Sequence, residues 1–157
     1  MKTEAPKNVK MICQNKKAHF EYELGDRFEA GLILTGTEVK SLRLGKGSLV
    51  DAYARIIQGE PYLIGANITP YPQAYFGNHE PLRRRKLLLH KQEVKRLIGK
   101  TLEKGFSLVP LRLYFKNGLA KVEIALARGK KLHDKRHSLK EADSKREMAR
   151  AVREYNR

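Results

Sequence analysis

The stretch FSLVPLRLYFKNGLAKVEIALAR, residues 106–128, decides how the chain folds. Asn117-Gly118 at its centre suits a two-residue hairpin turn, because both residues accept positive φ. Before the turn, Leu111, Leu113 and Phe115 alternate with Arg112, Tyr114 and Lys116; after it, Val122, Ile124 and Leu126 alternate with Lys121 and Glu123. A period of two puts each apolar set on one face, so the stretch reads as two half-buried antiparallel strands.

The same period recurs upstream. In Arg27–Leu34, Phe28, Ala30, Leu32 and Leu34 share one face and Arg27, Glu29 and Gly31 the other. Gly31 inside this strand implies a close backbone approach or a bulge. Leu49–Ile57 and Pro61–Ile68, joined by Gln58-Gly59-Glu60, read as a second hairpin. Helical spacing appears in Thr37–Leu44, through Val39 and Leu42, and behind a capping His90, through Val94, Leu97 and Ile98 with Leu102 at the edge. Met11–Asn15 suits either a strand or a loop, and Asn15-Lys16-Lys17-Ala18-His19 is a candidate start for a further short helix. Many short strands in fewer than about 130 residues favour a small closed barrel over a sandwich. The expected fold is mainly β: a closed antiparallel barrel, oligonucleotide-binding-like, with two or three short helices.

Downstream, Gly129-Lys130-Lys131-Leu132-His133-Asp134-Lys135-Arg136 marks a change of character. Residues 1–128 read as a packed body, opened by a frayed basic lead-in at Met1–Lys10, and residues 129–157 as a basic C-terminal tail. Ser138-Leu139-Lys140-Glu141 matches a capping box, with Ser138 as N-cap and Glu141 at the third helical position. Beyond it the apolar residues Leu139, Ala142, Ala149 and Val152 form only a thin stripe. A helix of about 16 residues is marginal alone in water. The tail is therefore expected to be disordered when free and helical on a partner.

The chain has 157 residues, and 33 Lys+Arg against 17 Asp+Glu leave a formal net charge of +16. Such a charge repels itself in a compact state, and its usual counterpart is a polyanion. Nucleic acid is the expected partner, ahead of an acidic membrane, since no amphipathic helix of membrane-surface type is evident. The single cysteine, Cys13, excludes an internal disulfide and a cysteine-rich zinc site and reads as a small apolar strand residue. Met1–Lys17 lacks the apolar core of a signal peptide, and no apolar run approaches the length of a membrane span, so a soluble cytoplasmic protein is expected.

No zinc-type histidine pair, nucleophile elbow or nucleotide-binding glycine fingerprint is present, and Gly45-Lys46-Gly47 lacks the continuation of a phosphate loop. The chain is expected to be no enzyme and to need no metal or cofactor. Asp26, Asp51 and Glu29 would make a metal-dependent nuclease site only if the fold brought them together. His133 beside Asp134 is not a dyad, because adjacent side chains diverge in regular structure; contact of its ring with an RNA base stays open.

The cationic candidates for phosphate contact are Lys40, Arg43 and Lys46, then the run Arg83-Arg84-Arg85-Lys86. Leu87-Leu88-Leu89 follows that run directly, as in a strand anchored in the core that holds its cations at the surface. Glu29 reads either as a solvated strand carboxylate or as an acceptor for a base edge or 2′-hydroxyl. Thr69–Pro81 is a long loop carrying Tyr71, Tyr75 and Phe76. Rings covering the edge of a small core is the favoured reading there, and stacking on unpaired bases the other.

With these residues in view, the chain resembles the SsrA-binding protein, or small protein B, family. Six stretches in order carry the resemblance: Asn15-Lys16-Lys17-Ala18, Phe28-Glu29-Ala30-Gly31-Leu32, Thr37-Glu38-Val39-Lys40-Ser41-Leu42-Arg43, Gly65-Ala66-Asn67-Ile68-Thr69-Pro70, Arg85-Lys86-Leu87-Leu88-Leu89, and Gly129-Lys130-Lys131 with Asp134-Lys135-Arg136. The resemblance implies an oligonucleotide-binding-type barrel with flanking helices. It implies a non-enzymatic module that binds the tRNA-like domain of transfer-messenger RNA and delivers it to stalled ribosomes in trans-translation. The second partner it implies is the ribosome, through small-subunit ribosomal RNA at the decoding site and the mRNA channel. On the same ground Asn15, Glu29 and Leu88 match RNA-binding positions. Lys130, Lys131, Asp134, Lys135 and Arg136 match a tail motif used after ribosome entry, and His133 a position suited to stacking on ribosomal RNA. A generic RNA-binding barrel associated with the ribosome is the alternative.

Overall fold

The structure is a computed structural model and describes residues 8–103, 105–130 and 132–155, the side chains of 132–135 and 138 excepted. Most of the Met1–Lys10 lead-in lies outside the described residues, as does Lys131. In chain order the elements are β1 (Val9–Gln14), α1 (Ala18–Glu21), β2 (Tyr22–Leu32), α2 (Gly36–Arg43), β3 (Gly47–Ser48), β4 (Tyr53–Ile57), β5 (Glu60–Ile64), β6 (Asn67–Ile68), β7 (Arg85–Leu88), α3 (Lys91–Thr101), β8 (Phe106–Lys116), β9 (Leu119–Gly129) and α4 (Leu132–Tyr155).

The Asn117-Gly118 turn forms as its chemistry requires. Both residues have left-handed backbone, φ 51° and 78°, and Lys116 pairs directly with Leu119. β8 pairs antiparallel with β1, β4 and β9. From β9 the antiparallel pairings pass to β2, then to β7, β5 and β4. β3 and β6 make a separate two-stranded ribbon. The Leu49–Ile68 hairpin is present but shorter than its apolar run: Tyr53–Ile57 pairs with Glu60–Ile64 around Gln58 and Gly59.

The main core takes the inward faces of this sheet: Leu63, Leu87, Leu108, Leu113, Val122, Ile124 and Leu126, closed by Leu42 of α2 and Leu97 of α3. A second cluster packs on the opposite face, where Ala18 of α1 meets Val109, Leu111, Ala125 and Ala127. This corrects the simple alternation of the first hairpin strand. Leu111 does not join Leu113 and Phe115; it belongs to the second cluster. The register shifts between Pro110 and Arg112, and one extra residue moves the following side chains to the other face. Proline, with no N–H to give the ladder, is at home at such a bulge.

Gly31 answers to the close approach expected of it. It is paired with Leu88, and a Cβ at Gly31 would lie 3.3 Å from the Leu88 Cβ. Cys13 lies half-buried on β1 against the main core. Burial pushes its thiol pKa up to about 11, against a smaller opposing bond from the Leu49 backbone, so the thiol stays protonated. Leu102 corrects the α3 stripe: it lies past the last helical residue and is 82% exposed.

The tail helix begins earlier than its capping box suggests. Gly129 ends β9, the Lys130 N–H bonds the Glu21 carbonyl at 3.0 Å, and α4 starts at Leu132. Ser138 therefore falls inside a helix already under way. Among the described side chains of α4 only Ala142 is half-buried; the others are exposed.

Candidate nucleic-acid interface

The outward residues of β2, β9 and β8 form a ladder of charges. Glu29 on β2 stands opposite Glu123 on β9. Two carboxylates in that position repel unless each has its own cations, and each does. Glu29 accepts a hydrogen bond from the Tyr114 hydroxyl and one of 3.2 Å from Lys116 Nζ. Glu123 accepts from Arg112 and, at 3.3 Å, from Arg27. The Tyr114 bond chiefly holds the Glu29 carboxyl below its usual range; partial burial opposes it, and Lys116 and Lys121 add to it. Burial and then the Glu29 bond push the Tyr114 hydroxyl pKa upward, so it remains a donor. Glu29 is thus a fixed, ionised acceptor with its side chain still 38% exposed.

The residues flanking Glu29 complete this face. Leu88, opposite Gly31, is 54% exposed despite its place in an apolar run. Lys121 Nζ lies over Gly31. Asn15 sits where β1 leaves β8, its N–H on the Leu111 carbonyl at 2.8 Å and its side-chain amide on the Pro110 carbonyl at 3.1 Å. It shares a cleft of about 420 Å³ with Arg27, Arg112 and Glu123. The fold therefore places Glu29 and Leu88 on the adjoining strands β2 and β7, while Asn15 lies just past the end of β1, two strands away across β8 and β9.

The basic run divides. Arg85 is wholly buried, which corrects its reading as a surface phosphate contact. Its guanidinium bonds Glu38, the Ala66 carbonyl at 2.8 Å and the Pro81 carbonyl at 3.1 Å. Glu38, equally buried, also accepts from Arg83 at 2.6 Å and from the Thr35 N–H at 2.9 Å. The physical reason is alternation: Arg85 and Leu87 point inward on β7, and a buried cation needs a buried anion. Arg84 stays exposed with its guanidinium 4.7 Å from the centre of the Tyr62 ring, and Lys86 pairs with Glu60 at 3.0 Å. Lys40, Arg43 and Lys46 are exposed on and just after α2. Lys40 lies 5.6 Å above the Tyr71 ring.

Other sequence candidates fare differently. Lys130 Nζ donates to the His19 carbonyl at 2.9 Å, tying the root of the tail to α1. Arg136 is exposed on α4, while the side chains of His133, Asp134 and Lys135 lie outside the described residues. Asp26 pairs with Arg96, and Glu29 is engaged as above. Among the described residues no group of three or more His, Cys, Asp or Glu lies together that could hold a metal ion. No described helix is long and apolar enough to cross a membrane. Tyr114, Lys116, Lys121, Arg112 and the Glu38 cluster were not signalled as a set by sequence, because period two puts such residues on a face without saying which pair.

Fold and surface together define a small, strongly basic, mainly β protein whose outer sheet face is suited to hydrogen-bonding a polyanion. Residues 12–154 match the family described as SmpB protein, and the chain belongs to that family. It is 57% identical over 148 residues to an SsrA-binding protein of Geobacter metallireducens, covering 94% of this chain and 97% of that one. An SsrA-binding protein of Bacillus cytotoxicus is 54% identical over 145 residues, covering 92% and 94%. A solved structure described as "tmRNA-SmpB: a journey to the center of the bacterial ribosome" contains a similar chain. It is 47% identical with a TM-score of 0.66, over 81% of this chain and 93% of that one.

Proposed function

We propose that the protein binds the tRNA-like domain of transfer-messenger RNA and delivers it to stalled ribosomes for trans-translation. One observation carries this reading: the likeness to proteins named for binding SsrA runs through body and tail together. The body, residues 1–128, acts as a closed barrel of oligonucleotide-binding type. The run of pairings from β8 through β4, β5, β7, β2 and β9 back to β8 supports that closure. Its outer face holds folded RNA by shape and charge. Asn15, Glu29 and Leu88 make direct contacts, and Lys40, Arg43, Lys46 and Arg84 meet phosphate. The protein does no chemistry itself and works in the cytoplasm.

The tail, residues 129–157, reads the state of the ribosome. Its helix has almost nothing of its own to pack against, which supports a segment that is disordered when free. Ordering each residue costs about 1–2 kcal/mol of backbone entropy. Contacts from Lys130, Lys131, His133, Asp134, Lys135 and Arg136 to ribosomal RNA at the decoding site and mRNA channel offset that cost. A channel filled by message excludes the tail, so vacancy is the signal.

The test separates the two parts. Replacing Asp134, Lys135 and Arg136 by Ala should leave binding of the tRNA-like domain unchanged while abolishing tagging on stalled ribosomes. Equal loss of both activities refutes the division. Sequencing RNA that co-purifies with the protein should give one dominant species; bulk ribosomal RNA would point to a generic ribosome-associated protein instead.

A further inference from the structure

The loop between β6 and β7 does not do what its rings suggest. Tyr75 and Phe76 are 93% and 98% exposed, so they cover no core edge. They touch each other instead, with centroids 5.7 Å apart and planes tilted by 57°. The neck of the loop is pinned. Asn78 accepts from the Tyr71 N–H at 3.0 Å and donates to the Tyr71 carbonyl at 2.7 Å. His79 is buried between the Thr37 hydroxyl, at 2.9 Å, and the Ile68 carbonyl, at 2.8 Å. A braced neck that holds two rings in water is a costly surface unless something stacks on them.

Between this loop and the start of α2 lies a cleft of about 640 Å³. Its lining includes Lys40, Tyr71, Tyr75 and Phe76 and contains no carboxylate. Ring faces beside a lone cation are the complement of a nucleotide: base on ring, phosphate on ammonium. The cleft also continues the face already described. On β2 Arg27 and Glu29 are exposed, Gly31 is covered by Leu88 and Lys121, exposed Ile33 follows, and Thr35 and Gly36 form the rim of the cleft.

We propose that Tyr75 and Phe76, with Lys40, form a stacking site for an unpaired nucleotide of the RNA held on the β2 face. This rests on the reading of the protein as binding transfer-messenger RNA. Stacking accepts any base, so the site adds affinity and not sequence preference.

The chain contains no tryptophan, so Phe76→Trp places a single reporter in the cleft. With the full chain and the tRNA-like domain of transfer-messenger RNA, its emission should be quenched along the same isotherm that labelled-RNA anisotropy gives. The double variant Tyr75→Ala/Phe76→Ala should fold normally and bind that RNA about tenfold more weakly. Its dependence on salt should be unchanged, whereas Lys40→Ala should lower the salt slope by about one. Emission that stays constant while anisotropy reports binding overturns the stacking site, as does wild-type affinity in the double variant. Either result would turn the rings toward a protein surface and leave RNA binding by the body intact. Wild-type protein that does not bind the RNA at all overturns both readings.

Discussion

Glu29 and Glu38 are nine residues apart, both engaged by cations, and they do opposite work. Glu38 lies at the base of α2, wholly buried, between Arg83, Arg85 and the Thr35 N–H. Burial would raise its pKa more than any other single effect, but the bonds from Arg83, Thr35 and Arg85 together outweigh it and bring it down to about 2. Glu29 lies on the open sheet face, its side chain 38% exposed, held by Tyr114 and Lys116 with room left for an incoming donor. The difference is solvent. In the interior a salt bridge is a requirement, because either partner alone would be a bare buried charge. On the surface the same pairing is worth little to stability and leaves the carboxylate available.

The sharpest way to break this contrast is Arg85→Ala. It removes the fully buried cation beside Glu38, leaves Glu38 with Arg83 and the Thr35 N–H, and takes a donor from the Ala66 and Pro81 carbonyls. Urea denaturation should show a loss of about 3–5 kcal/mol. Acid should produce the next largest effect. Glu38 has a folded pKa of about 2 against an ordinary value of 4.5, so its contribution is complete above about pH 4.5 and disappears as pH falls toward about 2. Stability measured across that window should fall by a few kcal/mol, and should fall somewhat less in a Glu29→Gln variant, because Glu29 is also held below its usual range and shares in the loss. Tyr114→Phe should cost about 1–2 kcal/mol, the value of a hydrogen bond to a charged acceptor, and should weaken RNA binding by freeing the Glu29 side chain. Glu29→Ala removes the same bond and should cost a similar amount, about 1–2 kcal/mol, and should weaken RNA binding about tenfold, measured by filter retention. Unchanged affinity in that variant would remove Glu29 from the interface.

Part of this contrast was legible along the chain. Thr35-Gly36-Thr37-Glu38 carries the Ser/Thr-x-x-Glu signature of a capping box, a local signal passed over when the helix is placed at Thr37–Leu44, and the Thr35 N–H bonds Glu38 at 2.9 Å. Arg83 and Arg85 carry no such signal: they meet Glu38 from 45 and 47 residues away. A run of four bases reads as surface until alternation on β7 turns Arg85 inward. The exposed partner set is no more local, since Tyr114 reaches Glu29 across 85 residues. Likewise Leu111 looks equivalent to Leu113 on paper, and a single bulge at Pro110 sends it to a different cluster.

Neighbour-range chemistry was enough for the Asn117-Gly118 hairpin, the α2 and α3 stripes, the excess of cations and the family motifs, because turns, caps and periods act over a few residues. Which cations stay in water, which acid is sealed with its partners, and that Tyr75 and Phe76 stand clear of the core required the closed-up chain. Those outcomes depend on where distant strands dock, and burial, not residue type, decides whether a charge or a ring serves the fold or faces a partner.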